Sequence, residues 1–157
     1  MNKPLTETQR SDEMLKLFGW CTRSGFSAYV GSSNWNWEDA DQVPDADVME
    51  ICQQALSEGD YPTTAALLAI LTYRKDRRNK ISIGSTWHPF GNRFEASVKS
   101  VVRDPANECE AEVEMAAVVN NPGFYLIVEA EQGPDLVMTP DQLISRYEWI
   151  EPFEVTF

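Results

Sequence analysis

One histidine, three cysteines and a large surplus of carboxylates are what this 157-residue chain offers for chemistry. With His88 as the single imidazole, two-histidine metal motifs are excluded and any nucleophile–base–acid triad must run through that one ring. Ser85 stands close by, in Gly84-Ser85-Thr86-Trp87-His88-Pro89-Phe90-Gly91. The G-x-S-x-G turn that strains a serine into a nucleophile does not accompany it, so the expectation is a loop histidine hydrogen-bonded near Trp87. Cys21, Cys52 and Cys109 are widely spaced, odd in number and free of any C-x-x-C or His-paired arrangement, which argues against a disulfide framework or a zinc site and fits a reducing compartment. G-x-G-x-x-G and P-loop sequences are absent, which removes the usual phosphate cradles. Glu38, Asp39, Asp41, Asp45 and Asp47 are rich in oxygen, but without the spaced glycine and terminal glutamate of an EF-hand loop they read as a solvated acidic loop. The sequence therefore predicts no catalytic residue, no metal and no cofactor, and a protein that is not an enzyme.

What stands out instead is a row of glutamates. Glu108, Glu110, Glu112 and Glu114 alternate with apolar residues, and side chains two apart on a strand repeat at roughly 7 Å, close enough for like charges to repel. One reading is a solvated sheet face whose charge keeps an edge from aggregating. The other is a partner-binding surface that imitates nucleic-acid phosphates, which fall about every 3.4 Å along a strand, so that further acids would have to join the row. Trp35 and Trp37 lie in a polar stretch where large rings often anchor a partner, and with the four glutamates they complete the expected partner-binding set.

The charge of the chain is sorted along its length. Residues 1–73 carry 11 acids and 4 bases (−7), residues 74–103 carry 2 acids and 8 bases (+6), and residues 104–157 carry 12 acids and 1 base (−11), for a net −12. So acidic a molecule has no general attraction for nucleic acid or anionic membrane, since that long-range term scales with positive charge. Only Arg74, Lys75, Arg77, Arg78 and Lys80 offer a local exception, as an anion-docking patch or, more simply, as cations favoured at the negative end of a helix. The start of the chain is polar, and the longest apolar run, residues 65–71, is far too short to cross a bilayer. A cytoplasmic-type soluble protein is expected.

An acidic row needs a sheet to hold it, and the spacing of apolar residues predicts one in the second half of the chain. Before it, Thr6 and Gln9 stand at capping-box spacing ahead of Met14, Leu15, Leu17 and Phe18, with Gly19 as a stop. Phe26–Val30 reads as a brief strand and 31–41 as a loop. Pro44 and Asp45 open a helical hairpin carrying Val48, Ile51, Cys52, Ala55 and Leu56. Gly59 supplies its left-handed turn, and Asp60 and Pro62 restart a helix apolar nearly all round, hence buried. Ile81 and Ile83 suggest a strand. Residues 94–103 then alternate, with Ala96, Val98, Ser100 and Val102 inward and Lys99, Val101 and Arg103 outward. A turn over 104–107 leads to a strand with Cys109, Ala111, Val113, Met115 and Ala117 inward. That hairpin sets Arg103 opposite Glu108, Lys99 opposite Glu112, Val102 opposite Cys109 and Val98 opposite Val113.

Asn120, Asn121, Pro122 and Gly123 turn the chain into a central strand over 124–130. Leu136 to Met138 make another strand, Thr139, Pro140 and Asp141 cap a short helix through Leu143, Ile144 and Tyr147, and Phe153, Val155 and Phe157 alternate as a closing strand. The order predicts an α+β fold, N-terminal helices with a helical hairpin packed on a C-terminal antiparallel sheet, in a single domain over 1–157 that is mainly helical over 1–79 and mainly sheet over 80–157. Pro122 to Val128, Leu136 to Met138 and Thr139 to Glu148 resemble the strand, turn, strand, short-helix module that ends many small phage-encoded accessory proteins. The resemblance implies a viral or mobile-element origin and a non-enzymatic role, and it carries no functional residue across.

Two functions remain open on this reading. The favoured one is an acidic protein-interaction module that contacts a basic protein surface, in its sharper form a phage-type inhibitor and DNA mimic occupying the nucleic-acid groove of a host or defence enzyme, with no direct nucleic-acid or membrane contact. The alternative is a small enzyme or ligand-binding domain in which Trp87, His88 and nearby bases surround an anionic small molecule.

Overall fold

The computed structural model describes residues 3–30, 40–104, 107–110, 115–120 and 123–152, and its fold is α+β. Thr6 opens the first helix, α1 (Glu7–Gly25), with a reciprocal capping box: its hydroxyl accepts from the Gln9 amide, and the Gln9 side chain accepts from the Thr6 amide. Gly19 does not stop it. A lone glycine costs a helix only about 1 kcal/mol, and α1 runs six residues further, to Gly25. The chain then continues as a π-helical turn over Phe26–Val30, where the sequence suggested a strand.

The helical hairpin forms where the turn residues place it. In α2 (Asp45–Ser57), Val48, Cys52 and Ala55 are buried. Gly59 sits at φ 74°, its amide bonds the Leu56 carbonyl and the Asp60 amide bonds the Ala55 carbonyl, which is the double bond of a Schellman turn. Asp60 then caps α3 (Tyr61–Asn79), accepting from the Thr63 amide and hydroxyl. Val48, Cys52, Leu67 and Ile70 form one buried cluster, with Phe26, Val43, Ile51 and Leu71 against it. Gly25 approaches α3 so closely that a Cβ there would fall on the Pro62 carbonyl oxygen.

Six strands make the sheet: β1 (Thr86–Pro89), β2 (Ala96–Asp104), β3 (Asn107–Glu110), β4 (Tyr125–Ala130), β5 (Leu136–Met138) and β6 (Tyr147–Ile150). Their order is β5-β4-β2-β1-β6, every pairing is antiparallel, and β3 joins β2 off this path. Because Val102 pairs with both Tyr125 and Glu110, β3 lies on the edge of β2 away from β4. Two short helices serve the sheet, α4 (Met115–Asn120) and α5 (Pro140–Arg146), the second opened by a Thr139–Gln142 capping box. The core holds Trp87, Val98, Val101, Val118, Leu126, Val128, Leu143 and Ile144.

Several expectations need correction. Ile81 and Ile83 lie in an irregular segment with a turn at Ile83 and Gly84, and the strand starts only at Thr86. Val101, expected to face water, is buried, because an irregularity between Val98 and Ser100 shifts the register against β4 by one residue. Met115 and Ala117 belong to a helix rather than to the second hairpin strand. The short helix ends at Arg146, and Tyr147 begins β6. The closing strand expected at Phe153, Val155 and Phe157 lies outside the described residues. By Cα proximity the chain divides into two units, Met1–Trp37 with Val43–Thr72, and Glu38–Gln42 with Tyr73–Phe157.

Candidate functional site

Of the expected partner-binding residues, Glu108 and Glu110 lie on β3. Glu112, Glu114, Trp35 and Trp37 lie outside the described residues. The β2–β3 turn starts in the register the alternation predicts, with Asp104 opposite Asn107, but a shift follows within two residues and sets Val102 opposite Glu110 instead of Cys109. Val98 pairs with Val128 of β4, and Val113, its expected partner across the hairpin, lies outside the described residues. Among the described residues, Glu108 and Glu110 thus lie on a short strand joined to β2 near its end, over Val102 to Asp104.

The bases of the central stretch turn to partners within the second unit. Arg78 Nε donates to Asp141 Oδ1 at 2.9 Å. Arg77 pairs with Asp76 and lies over the Tyr73 ring. Lys80 Nζ sits 4.6 Å from the centroid of Trp149, and Arg103 lies over Phe124. Lys99 pairs with Asp135 at 3.3 Å, and Arg74 is buried. A guanidinium already stacked or bidentate to a neighbour has fewer donors to offer a phosphate. Arg77, Arg78 and Lys80 of the stretch that looked like an anion-docking patch are thus engaged within the unit, while most acids of the C-terminal segment have no base of their own segment to meet, since Arg146 is the one base among residues 104–157.

The polar and aromatic residues around His88 are likewise placed for structure. Trp87 is fully buried, and its ring N–H donates to Ser85 Oγ at 3.0 Å. The same hydroxyl accepts from the Ser82 amide and donates to the Ser82 carbonyl, so it anchors a turn. His88 stands across the strands from Glu148, with Nε2 3.4 Å from its carboxylate and Nδ1 3.2 Å from the Pro89 carbonyl oxygen. Ser145 plays a similar part on α5, accepting from the Ala40 amide and donating to the Asp141 carbonyl. Among the described residues no group of three or more His, Cys, Asp or Glu is placed to hold a metal ion, and no helix is long and apolar enough to cross a membrane.

A surface that the sequence analysis did not single out is the apolar side of α1. Met14, Leu15, Leu17, Phe18 and Trp20 are each 56–69% exposed, and Gly25 is the buried residue of the helix. The signal was present in the sequence: residues 7–13 are all polar, so the apolar stripe spans barely two turns, too little to bind a helix into a core along its length. Comparison with protein-family models, with curated proteins and with solved structures returns no match for this chain.

Proposed function

We propose that the protein is a non-enzymatic interaction module whose acid-rich C-terminal part binds a basic surface of another protein, in its sharper form a phage-type inhibitor that occupies a nucleic-acid groove. The observation that carries this reading is the disposition of the bases. Among the described residues Arg78 pairs with Asp141 and Lys99 with Asp135, two of the 12 acids in residues 104–157, while Lys80 and Arg103 lie over aromatic rings. The remaining carboxylates keep a strongly negative field, which speeds encounter with a basic partner and selects against acidic ones. Ser85 and Trp87, held by one another, leave the serine hydroxyl committed to structure and favour a binding role over catalysis.

The test uses the full chain immobilised and exposed to a lysate of its source organism, beside the triple variant E110Q/E112Q/E114Q. Retained proteins should be nucleic-acid-binding, should elute with salt and should be displaced by duplex DNA, and the variant should retain less with a shallower salt dependence. Equal retention and an equal salt slope for the two chains would refute the electrostatic reading.

A further inference from the structure

Helix α1 leaves a contiguous apolar seam in water. At 3.6 residues per turn, Met14, Leu17, Phe18 and Cys21 fall within an arc of about 100°, with Leu15 and Trp20 on its flanks. Met14, Leu17 and Phe18 are more than half exposed and Cys21 is partly so. Isolated helices are marginal in water and draw their stability chiefly from packing such a face, and large exposed apolar patches mark places where another molecule sits.

The geometry points to a second copy of this chain as the occupant, its α1 lying antiparallel across the first about a twofold axis. Charge selects this partner. Two copies of a chain with net charge −12 repel one another over most of their surfaces. Helix α1 is different: Glu7, Asp12 and Glu13 are balanced by Arg10, Lys16 and Arg23. The balance is also polar along the axis, because residues 7–13 carry net −2 and residues 14–25 carry net +2. An antiparallel pair sets each half against its opposite and opposes the two helix dipoles, whereas a parallel pair sets like against like. Twofold pairing also requires a self-complementary patch. With Leu17 opposite Phe18 of the second copy, Met14 comes opposite its Cys21, and all four seam residues meet the same four. This contact is separate from the acid-rich surface and stands whether or not that surface binds a partner.

The seam is two turns long, smaller than the roughly 800 Å² per partner of a standard interface, so the pairing is weak, with a dissociation constant in the micromolar range. Sedimentation equilibrium of the full chain from about 1 to 500 μM should show reversible monomer–dimer exchange. L17E and F18E should each weaken it at least about tenfold while leaving thermal unfolding near wild type, because neither side chain belongs to a core. K16E/R23E, which keeps the seam but makes both halves acidic, should weaken the dimer at low salt and recover at high salt. Orientation is read by M14C: residues 14 and 21 of one helix are about 10 Å apart along the axis, beyond disulfide reach, so a 14–21 link formed with diamide and mapped by peptide mass spectrometry joins two chains. A chain that stays monomeric throughout, a dimer indifferent to L17E, or a dominant 21–21 link would overturn the inference. Recruitment of the monomer through Leu17 to phosphatidylcholine–phosphatidylglycerol vesicles would do the same.

Discussion

Helices α1 and α3 are each 19 residues long and both start from a side-chain cap, yet one is exposed almost throughout and the other is buried over its first turns. In α3 no charged residue occurs between Tyr61 and Tyr73, and its two early polar side chains are satisfied locally: Thr63 by the Asp60 carboxylate and Thr64 by the Asp60 carbonyl. A helix that brings its own hydrogen-bond partners can bury its early polar side chains without leaving one unpaired. In α1 six charges interrupt the circumference and only a narrow seam is apolar. Burying it whole would strand charges, so the helix keeps its polar arc in water and its seam goes unpaired within the chain. The difference teaches that how far an apolar surface runs around a helix, more than how many apolar residues it holds, decides whether the chain's own core can use it.

The sharpest way to break this comparison is to truncate one side chain on each helix. Leu67→Ala should cost about 3 kcal/mol, the transfer term plus a cavity, because Leu67 is fully enclosed with Val48, Cys52 and Ile70. Phe18→Ala removes a larger group but should change stability by no more than about 0.5 kcal/mol in dilute solution. Urea unfolding of the two variants measures both, and equal losses would mean that α1 is packed after all. Smaller is the effect where Gly25 meets α3. Gly25→Ala places a methyl on the Pro62 carbonyl oxygen and beside Ala66, and should cost about 1–3 kcal/mol through displaced backbone. A neutral outcome there would show that the approach of α1 to α3 yields easily. Below this come the caps. Asp60→Ala should cost about 1 kcal/mol, while Thr6→Ala should fray an exposed helix end and lower global stability by only a few tenths of a kcal/mol. Helicity by circular dichroism, read beside urea unfolding, separates fraying from global loss.

What could be read from the sequence was what local rules decide. Both capping boxes, the Gly59 turn and the Pro140 start have residue types that are costly to replace, and each forms where the sequence places it. The antiparallel sheet also follows from period-two spacing. Its pairing does not. Val98 pairs with Val128 of β4 on one edge of β2, and its amide and carbonyl bond the Ser85 carbonyl and the Gly84 amide on the other, contacts with distant residues that alternation along one hairpin cannot reveal. A one-residue shift admits Val101 to the core, and nothing in the local pattern marks it. Helix α4 begins at Met115, where apolar spacing that also fits a strand becomes a helix. For the candidate surfaces, charge sorting was legible as a count, but the fate of the bases was not, since the contacts of Arg78 with Asp141 and Lys99 with Asp135 join residues far apart in sequence.

The finest probe of the same contrast is a pair of cysteines. Cys21 lies on α1 and is partly exposed, while Cys52 is buried against α3 with its thiol directed at the Thr64 carbonyl oxygen, 3.8 Å away. Burial pushes the Cys52 thiol pKa up, because the thiolate would have to give up water. The folded chain therefore holds that proton at a pH where the unfolded chain has released it. The stability linked to this thiol is intact below about pH 8.5, where an unfolded cysteine ionises, and is lost as pH climbs toward the higher folded value. Urea unfolding at pH 8 and at pH 10 should show a greater alkaline loss for wild type than for Cys52→Ala, and the difference between the two isolates this group. Iodoacetamide should label Cys21 in the folded chain well before Cys52, whose thiolate becomes available only through opening of the α2–α3 pair. Labelling of both at one rate would mean that α2 and α3 separate as readily as α1 meets water, and the distinction between the two helices would then lie in their charges alone.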